Sequence, residues 1–316
     1  MAGGLRLTGF RKRADGVSLA LAGGHIAVVL LPVYLAALSG PHLAAVFLWL
    51  WFGLLMHGLI NLMHECAHYH AFTSRGMCDV FGRWILGPLL FTDFEPYRLR
   101  HFAHHRHLGV AGDTKDVYLR DIRSWRILRL AARCFGGIEA LQKARLQVPG
   151  AAAPRARSDR AWLVRTLAVQ LPFMLSLLLT ASLVPGRSGS AVIAAAAVAY
   201  IGVYGYGLAS LTTLVATLRG ICEHQIGGGP VKTVGRAALR NLSCNPVSRL
   251  VFGAYGFAEH ATHHIHPAIP AYHLKTVTAS LVASDPAIAP RHGYVETLIA
   301  LVRAPAGAPA TVPPRP

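Results

Sequence analysis

Residues 16–64 read GVSLALAGGHIAVVLLPVYLAALSGPHLAAVFLWLWFGLLMHGLINLMH, a stretch without a single Asp, Glu, Lys or Arg. Core helices of soluble proteins are rarely uncharged over such a length, whereas about 20 apolar residues suffice to cross a bilayer. Ser39-Gly40-Pro41 interrupts the stretch near its middle, and glycine and proline together mark a turn. We therefore predict two membrane spans, at about residues 17–38 and 43–63.

A second pair of spans is predicted in the other half of the chain. Residues 188–218 also lack charged side chains, and a turn-forming Pro185-Gly186 precedes them. The predicted spans lie at about 162–184 and 191–218, while the apolar residues 80–90 are too few to cross and predict an interfacial or re-entrant helix. The fold class that follows is an all-α integral membrane protein with four transmembrane helices in two hairpins.

The composition excludes several other classes of protein. Of 316 residues, 53% are hydrophobic and only 14% are charged, against about 25% charged in soluble domains. Five irregularly spaced cysteines give neither a disulfide framework nor a paired metal clip. The net charge of +17 comes from residues beside the spans, and no nucleic-acid motif accompanies them. We therefore expect the membrane, and not nucleic acid, as the partner of this charge.

Lysine and arginine also predict the orientation of the chain. Residues 64–161 carry 16 of them and residues 219–316 carry 9, whereas the two short turns between spans carry only Arg187. Because positive loops stay in the cytoplasm, both termini and the central loop are predicted there, in a bacterial inner membrane. The expected organisation is a basic cytosolic N-terminus (1–16), one membrane domain (17–303) and a disordered Pro- and Ala-rich tail (304–316).

Seventeen histidines are many for this length, and eight of them form three groups. Residues three or four apart share one face of a helix, so each group directs its imidazoles the same way. All three groups fall at or near the face predicted to be cytosolic, which indicates a helical cap that carries them. The groups are His64 and His68; His101, His104 and His105; and His260, His263 and His264.

So many converging imidazoles predict a metal centre, because without a metal they would desolvate one another at considerable cost. Imidazole suits zinc, copper, iron and nickel. One zinc ion needs three or four ligands, so eight histidines indicate two metal ions. Two irons with nitrogen ligands would form an oxidising centre, although the ligand types alone leave the metal open.

His64-Glu65-Cys66-Ala67-His68 also satisfies HExxH, in which two histidines bind zinc and the glutamate acts as a general base. An intramembrane zinc protease would carry this motif beside a span. That hypothesis leaves the six histidines of the other two groups without a role, and it is the weaker one. A non-catalytic metal-binding membrane protein is a further alternative.

The order HxxxH, HxxHH, HxxHH around two predicted hairpins resembles the membrane fatty acid desaturase-like superfamily of histidine-box di-iron enzymes. Tyr97-Arg98 before the second group is similar to the family's lead-in, and Pro267-Ala-Ile-Pro270-Ala-Tyr272-His-Leu274 to the tail of its acyl-lipid desaturases. The resemblance covers about residues 17–280. It implies an O2-dependent enzyme with two iron ions that desaturates or hydroxylates an unactivated position of a fatty acyl chain or lipid.

The resemblance also implies further site residues. Arg219-Gly-Ile-Cys-Glu223-His224 looks like an R-x-x-x-E-H element of bacterial members, which makes His224 a ninth ligand. Ligating histidines usually donate their other N–H to a carboxylate or carbonyl, and the candidate carboxylates are Glu65, Asp113, Asp116, Glu223 and Glu259. The remaining histidines are then assigned structural or supporting roles: His25, His42, His57, His70, His107, His266, His273 and His292.

The implied partners are a substrate and an electron donor. The substrate would be an acyl-lipid, acyl-CoA or acyl carrier protein. No haem-binding cytochrome b5-like motif is fused to the chain, so we expect a separate carrier such as ferredoxin. The alternative within the superfamily is a carotenoid ketolase or hydroxylase, since His101 to His107 with the following Gly and Asp resembles the ketolases' second box; Tyr69-His70 after the first box does not.

Overall fold

A computed structural model describes residue 10 and residues 12–110, 112–115, 120–145, 155–225 and 239–305, without the side chains of 145 and 155–159. Asp116 and residues 306–316 of the predicted tail lie outside these ranges. The described residues are helical and contain no strand; Ser243 and Gly293 form an isolated bridge.

Fourteen α-helices follow one another along the described chain, with several π- and 3-10-helical turns between them. The π-helical turns are Gly82–Leu86, Val198–Tyr206 and Leu208–Thr212, and the 3-10 turns are Ala254–Glu259 and Pro286–Ile288. The α-helices are α1 (Asp15–Ser39), α2 (Ala44–Ala67), α3 (Arg75–Phe81), α4 (Gly87–Leu89), α5 (Phe94–Arg106), α6 (Arg126–Phe135), α7 (Ile138–Arg145), α8 (Arg155–Ser182), α9 (Gly189–Ala197), α10 (Thr213–His224), α11 (Pro246–Val251), α12 (His260–Ile265), α13 (Ala271–Leu281) and α14 (Tyr294–Arg303).

Four helical stretches are long and apolar enough to cross a membrane, which confirms the prediction of four such helices. They are Asp15–Ser39, Ala44–Ala67, Arg160–Ser182 and Gly189–His224. The second and fourth run beyond the predicted ends at residues 63 and 218. The prediction ends a span where the uncharged stretch ends. The helices continue further because the charged residues Glu65, Arg219 and Glu223 are buried among polar partners.

The ends of these helices meet in two places. At one, the Arg187 guanidinium donates to the carbonyls of Ala37 (2.8 Å), Leu38 (2.7 Å) and Ala181 (3.1 Å), between the first and third helices. At the other, the Asp15 carboxylate accepts from the backbone N–H and the hydroxyl of Thr73, at 2.6 and 2.5 Å. The start of α1 therefore lies level with the loop after α2. We call this second place the histidine end and the first the opposite end.

Between the two ends the helices pack around aromatic side chains and a few satisfied polar groups. Tyr204 and Phe173 lie edge to face with ring centroids 5.2 Å apart. The Tyr204 hydroxyl donates to the Leu89 carbonyl at 2.7 Å and accepts from Gln170 at 2.8 Å. This contact ties the predicted short helix, which the structure forms as a continuous helical run from Arg75 to Leu89, to the long helices. The interfacial or re-entrant position of this short helix stays a prediction.

Candidate metal centre

Four separate parts of the chain bring the nine candidate histidines together at the histidine end. Each part is helical or ends a helix, so the three- and four-residue spacings align the rings on one face. The end of α2 supplies His64 and His68, α5 supplies His101, His104 and His105, the end of α10 supplies His224, and α12 supplies His260, His263 and His264.

Five of these histidines form a first cluster, in which one ring nitrogen from each lies within 4.8 Å of all the others. The shortest separations are between Nε2 atoms: 2.6 Å from His68 to His101, 3.0 Å from His101 to His105 and 3.2 Å from His105 to His263. The first cluster is His64, His68, His101, His105 and His263.

The other four histidines form a second cluster directly beside the first. Ring nitrogens of His104, His224 and His264 lie within 4.8 Å of one another, as do those of His224 and His260 with a carboxylate oxygen of Glu223. His260 Nε2 is 2.8 Å from His224 Nε2 and 3.1 Å from His264 Nε2. The second cluster is His104, His224, His260 and His264.

The spacing of these nitrogens suits metal ions better than hydrogen bonds. A metal bound at about 2.1 Å holds neighbouring ligand nitrogens roughly 3 Å apart. His101 Nε2 faces two other Nε2 atoms, and one ring nitrogen carries a single lone pair or a single hydrogen. His64 Nε2 and His104 Nε2 are buried without a hydrogen-bond partner. Both clusters could each hold one metal ion.

Burial also fixes the protonation state of these rings. Desolvation lowers the pKa of His104 to about 4 and that of His105 to about 3. The same cause lowers the pKa of His68, His101 and His263. The imidazoles are therefore neutral at neutral pH, which is the form that binds metals.

Two of the candidate carboxylates, Glu65 and Asp113, contact the outward-facing nitrogen of a ring, one in each cluster. His64 Nδ1 lies 3.1 Å from Glu65 Oε1 and His104 Nδ1 lies 2.8 Å from Asp113 Oδ1, which turns each Nε2 inward. Glu223 differs from these two, because its Oε2 lies 3.6 Å from His260 Nε2, the nitrogen that faces the other rings of the second cluster. Its carboxylate is therefore placed as a candidate ligand and does not orient this ring. Contacts such as those of Glu65 and Asp113 fix the tautomer and orientation of a ligating ring.

One further candidate carboxylate is not part of this arrangement, and another is not described by the structure. Glu259 is buried but pairs with Arg249, with 3.2 Å between Oε1 and Nη2, and Asp116 lies outside the described residues. His70, assigned a supporting role, belongs to neither cluster; its Nδ1 lies 3.9 Å from Glu65 Oε2.

Three residues that the sequence gave no reason to choose lie at or beside the centre. Lys115 Nζ lies 3.4 Å from His224 Nε2, and burial lowers the pKa of this lysine to about 8. Tyr294 donates its hydroxyl to Glu223 at 3.0 Å. The Arg219 guanidinium, quoted above only as part of a motif, lies over the Phe257 ring at 4.1 Å. No spacing rule predicts these contacts, because each joins segments far apart in the chain.

Four apolar helices with a nine-histidine centre at one end define a helical membrane-type protein with a candidate metal centre. Residues 41–295 match the fatty acid desaturase family. Since this match covers most of the chain, the protein belongs to the fatty acid desaturase family.

Several curated relatives match over a shorter segment. A Delta(12) fatty acid desaturase of Mortierella isabellina is 34% identical over 77 residues, which are 24% of this chain and 18% of the relative. The sn-1 oleoyl-lipid 12-desaturase of Synechocystis is 28% identical over 88 residues, 28% of this chain and 22% of the relative. The chloroplastic omega-6 fatty acid desaturase of Spinacia oleracea is 30% identical over 77 residues, 24% of this chain and 15% of the relative. The matched segments thus span about a fifth of these relatives' length.

Proposed function

We propose that the protein is an O2-dependent di-iron oxidoreductase that desaturates, or hydroxylates, an unactivated position of a fatty acyl chain or lipid. The observation that carries this proposal is the pair of adjoining histidine clusters, built from nine buried or half-buried imidazoles. Membership of the fatty acid desaturase family supports the acyl substrate.

In this proposal the first cluster binds one iron through His64, His68, His101, His105 and His263. The second cluster binds the other through His104, His224, His260 and His264. The two irons, when bound, supply with O2 the oxidising power that no amino-acid side chain has, as cofactors do in such chemistry.

The chain's own residues hold the centre and shape its surroundings. Glu65 and Asp113 orient ligand rings, and Tyr294 supports Glu223. A closely packed region without room for a water molecule lies against both clusters. Phe257, Leu274 and Gly256 line it together with His64 and His260. This packing excludes water from that side of the centre, and an acyl methylene would reach the centre here only if these side chains moved.

The zinc protease hypothesis needs Glu65 as a free general base. Glu65 Oε1 is instead 3.1 Å from Nδ1 of its own neighbour His64, and Oε2 accepts the Ala271 N–H at 3.1 Å. Both oxygens are thus engaged in holding the histidine ligand and the start of α13. This geometry supports a positioning role for Glu65 over proteolysis.

The remaining parts of the proposal concern partners and topology. The name of one relative, an oleoyl-lipid desaturase, supports an acyl-lipid substrate over acyl-CoA or acyl carrier protein. Electrons would come from a separate donor such as ferredoxin. We propose that residues 17–303 form the membrane domain, with the four apolar helices as two hairpins. The histidine end would face the cytoplasm of a bacterial inner membrane.

The test combines metal analysis with product analysis. We expect about two irons per purified chain, in line with four or more nitrogen ligands for each, and new unsaturated or hydroxylated acyl chains in a host that expresses the protein with ferredoxin and its reductase. Gas chromatography with mass spectrometry detects these products, and the His104→Ala variant is the inactive control. Oxidised carotenoids in a pigment-producing host, without acyl products, would identify the ketolase alternative. A single zinc would overturn the di-iron proposal.

A further inference from the structure

The segment between the second histidine group and α8 contains a helical hairpin that the hydropathy of the sequence does not reveal. Helices α6 and α7 are joined by Gly136 and Gly137, and Gly137 has a φ of +71°. Glycine adopts this left-handed conformation without steric cost. The two helices therefore fold back on each other, and both pack against the fourth long helix around Leu208–Thr212.

The hairpin begins at the histidine end and points toward the opposite end. Ile122, just before α6, packs with Ile221 near the end of α10 and with Leu301. At the tip, the Phe135 ring lies 6.1 Å from the ring of Trp49. Trp49 precedes His64 by 15 residues in the regular helix α2, which corresponds to about 22 Å along the axis. The tip thus reaches far down the side of the four long helices.

The return helix also lies alongside the long helices. Lys143 Nζ donates to Thr217 Oγ1 at 2.6 Å. Thr217 lies seven residues before His224 in α10, or about 10 Å along that helix. From Lys143 the chain runs back toward Gly137 and so deeper still, in agreement with the contact between Phe135 and Trp49.

The charges of Arg133 and Glu139 are satisfied against the protein, whereas Arg126 and Arg129, in the first half of α6, are exposed. The buried Glu139 carboxylate accepts from Arg120 and from Arg133, each at 2.6 Å. Arg133 also donates to Gln142 at 2.9 Å. Charged groups at membrane depth occur where they pair with one another and face protein. These pairs explain how a segment so rich in arginine can lie beside the apolar helices.

Beyond Arg129, toward the tip, the exposed face of the hairpin is mostly apolar. The side chains of Leu128, Phe135, Ile138 and Leu141 are exposed, as are many apolar side chains of the neighbouring long helices. At the start of the hairpin, Trp125 is exposed with the Arg126 guanidinium 5.8 Å from its ring centroid. An aromatic and a cation at the entry, followed by apolar residues, is the order found across a membrane interface.

We infer that residues 126–145 form a re-entrant hairpin whose outward face contacts lipid acyl chains of the leaflet at the histidine end. This inference rests on the four long helices crossing the membrane and is independent of the metal centre and its chemistry. We assign lipid as the partner of this face for one reason. The exposed apolar side chains near the tip lie beside the middle of the long helices and continue the exposed apolar surface of those helices.

Site-directed spin labelling tests the inference in proteoliposomes. Leu128→Cys and Phe135→Cys carry the label one at a time, in a background where the half-buried Cys244 is replaced by serine. Two controls calibrate the measurement: Leu179→Cys on the exposed face of α8 for lipid, and Ser284→Cys at the exposed polar turn after α13 for water. Power saturation compares collision with O2, which enters the bilayer, and with a water-soluble nickel chelate.

The result expected is a several-fold higher ratio of O2 to nickel accessibility at Phe135 than at Ser284, close to that of Leu179, with Leu128 at a shallower depth. Equal shallow depths at Leu128 and Phe135 would indicate a helix lying on the membrane surface and overturn the inference. Shielding from both reagents would indicate a protein partner on this face and also overturn it. Unchanged metal content in each labelled variant confirms that it is folded.

Discussion

The imidazole rings of His105 and His264 stack with centroids 4.2 Å apart and planes 20° from parallel. His105 belongs to the first cluster and His264 to the second. This contact is therefore where the two candidate metal sites touch, and it brings ligands from α5 and α12 together. Two ions bound here would be close neighbours, as the proposed di-iron chemistry requires.

We expect His105→Ala and His264→Ala each to lower the bound iron by about one ion per chain or more, since each removes one of the four or five ligands of a site. Elemental analysis of the purified protein measures the loss. The matched control is His42→Ala, which changes an exposed histidine in the turn at the opposite end. Iron content unchanged in both cluster variants would exclude these two groups as ligands.

Asp113→Asn is expected to weaken metal binding without removing a ligand. Asp113 accepts from the backbone N–H of Gly109 at 2.7 Å and of Lys115 at 2.9 Å, and it holds His104 Nδ1 at 2.8 Å. Loss of such a carboxylate partner typically costs about 10- to 100-fold in metal affinity. Competition with a chelator measures this change. Asp285→Asn, at an exposed turn, is the control, and equal affinities in the two variants would contradict the prediction.

The metal-free protein is expected to lose stability as the pH falls from about 6.5 to 4. His104 and His105 have folded-state pKa values of about 4 and 3, below the ordinary value of 6.5, because of burial. Above pH 6.5 both states are neutral and this loss is absent. Below it, the unfolded chain gains protons that the folded protein cannot bind, which favours unfolding.

Thermal unfolding in detergent at several pH values measures this dependence. The melting temperature of the metal-free protein should fall through this window, and the His104→Ala variant should show a shallower fall. Bound metal should reduce the dependence, because it occupies the same nitrogens. A melting temperature that is constant from pH 7 to pH 4.5 would contradict the assignment of buried neutral imidazoles.

The sequence predicts the four long helices and the histidine faces well, for physical reasons. A bilayer demands about 20 apolar residues per span, and helix geometry alone aligns His101 with His104 and His105. These properties are local to short stretches of chain. They require no knowledge of which segments meet.

The parts that the sequence does not predict depend on contacts between distant segments. Glu259 is adjacent to a candidate ligand in sequence, yet it pairs with Arg249. Lys115 reaches His224, a residue 109 positions away. The α6–α7 hairpin escapes a hydropathy criterion because its charges count against burial, whereas Arg133 and Glu139 neutralise each other in the fold.

Gly256→Ala is expected to destabilise the protein and to reduce its iron content. Gly256 has a φ of +75°, and a Cβ there would lie 2.9 Å from the carbonyl oxygen and 3.0 Å from the Cα of Ala271. The left-handed conformation costs a non-glycine residue about 1–2 kcal/mol. The contact with the Ala271 backbone adds to this cost and shifts the turn that leads into His260.

Gly186→Ala separates the two effects, because Gly186 has the same φ of +75° with nothing within 4 Å of a Cβ. We expect this control to lower the melting temperature slightly and to leave the iron content unchanged, since it lies at the opposite end. Gly256→Ala should lower both. If the two variants unfold at the same temperature and bind equal iron, the close approach of Gly256 to Ala271 does not position the third histidine group.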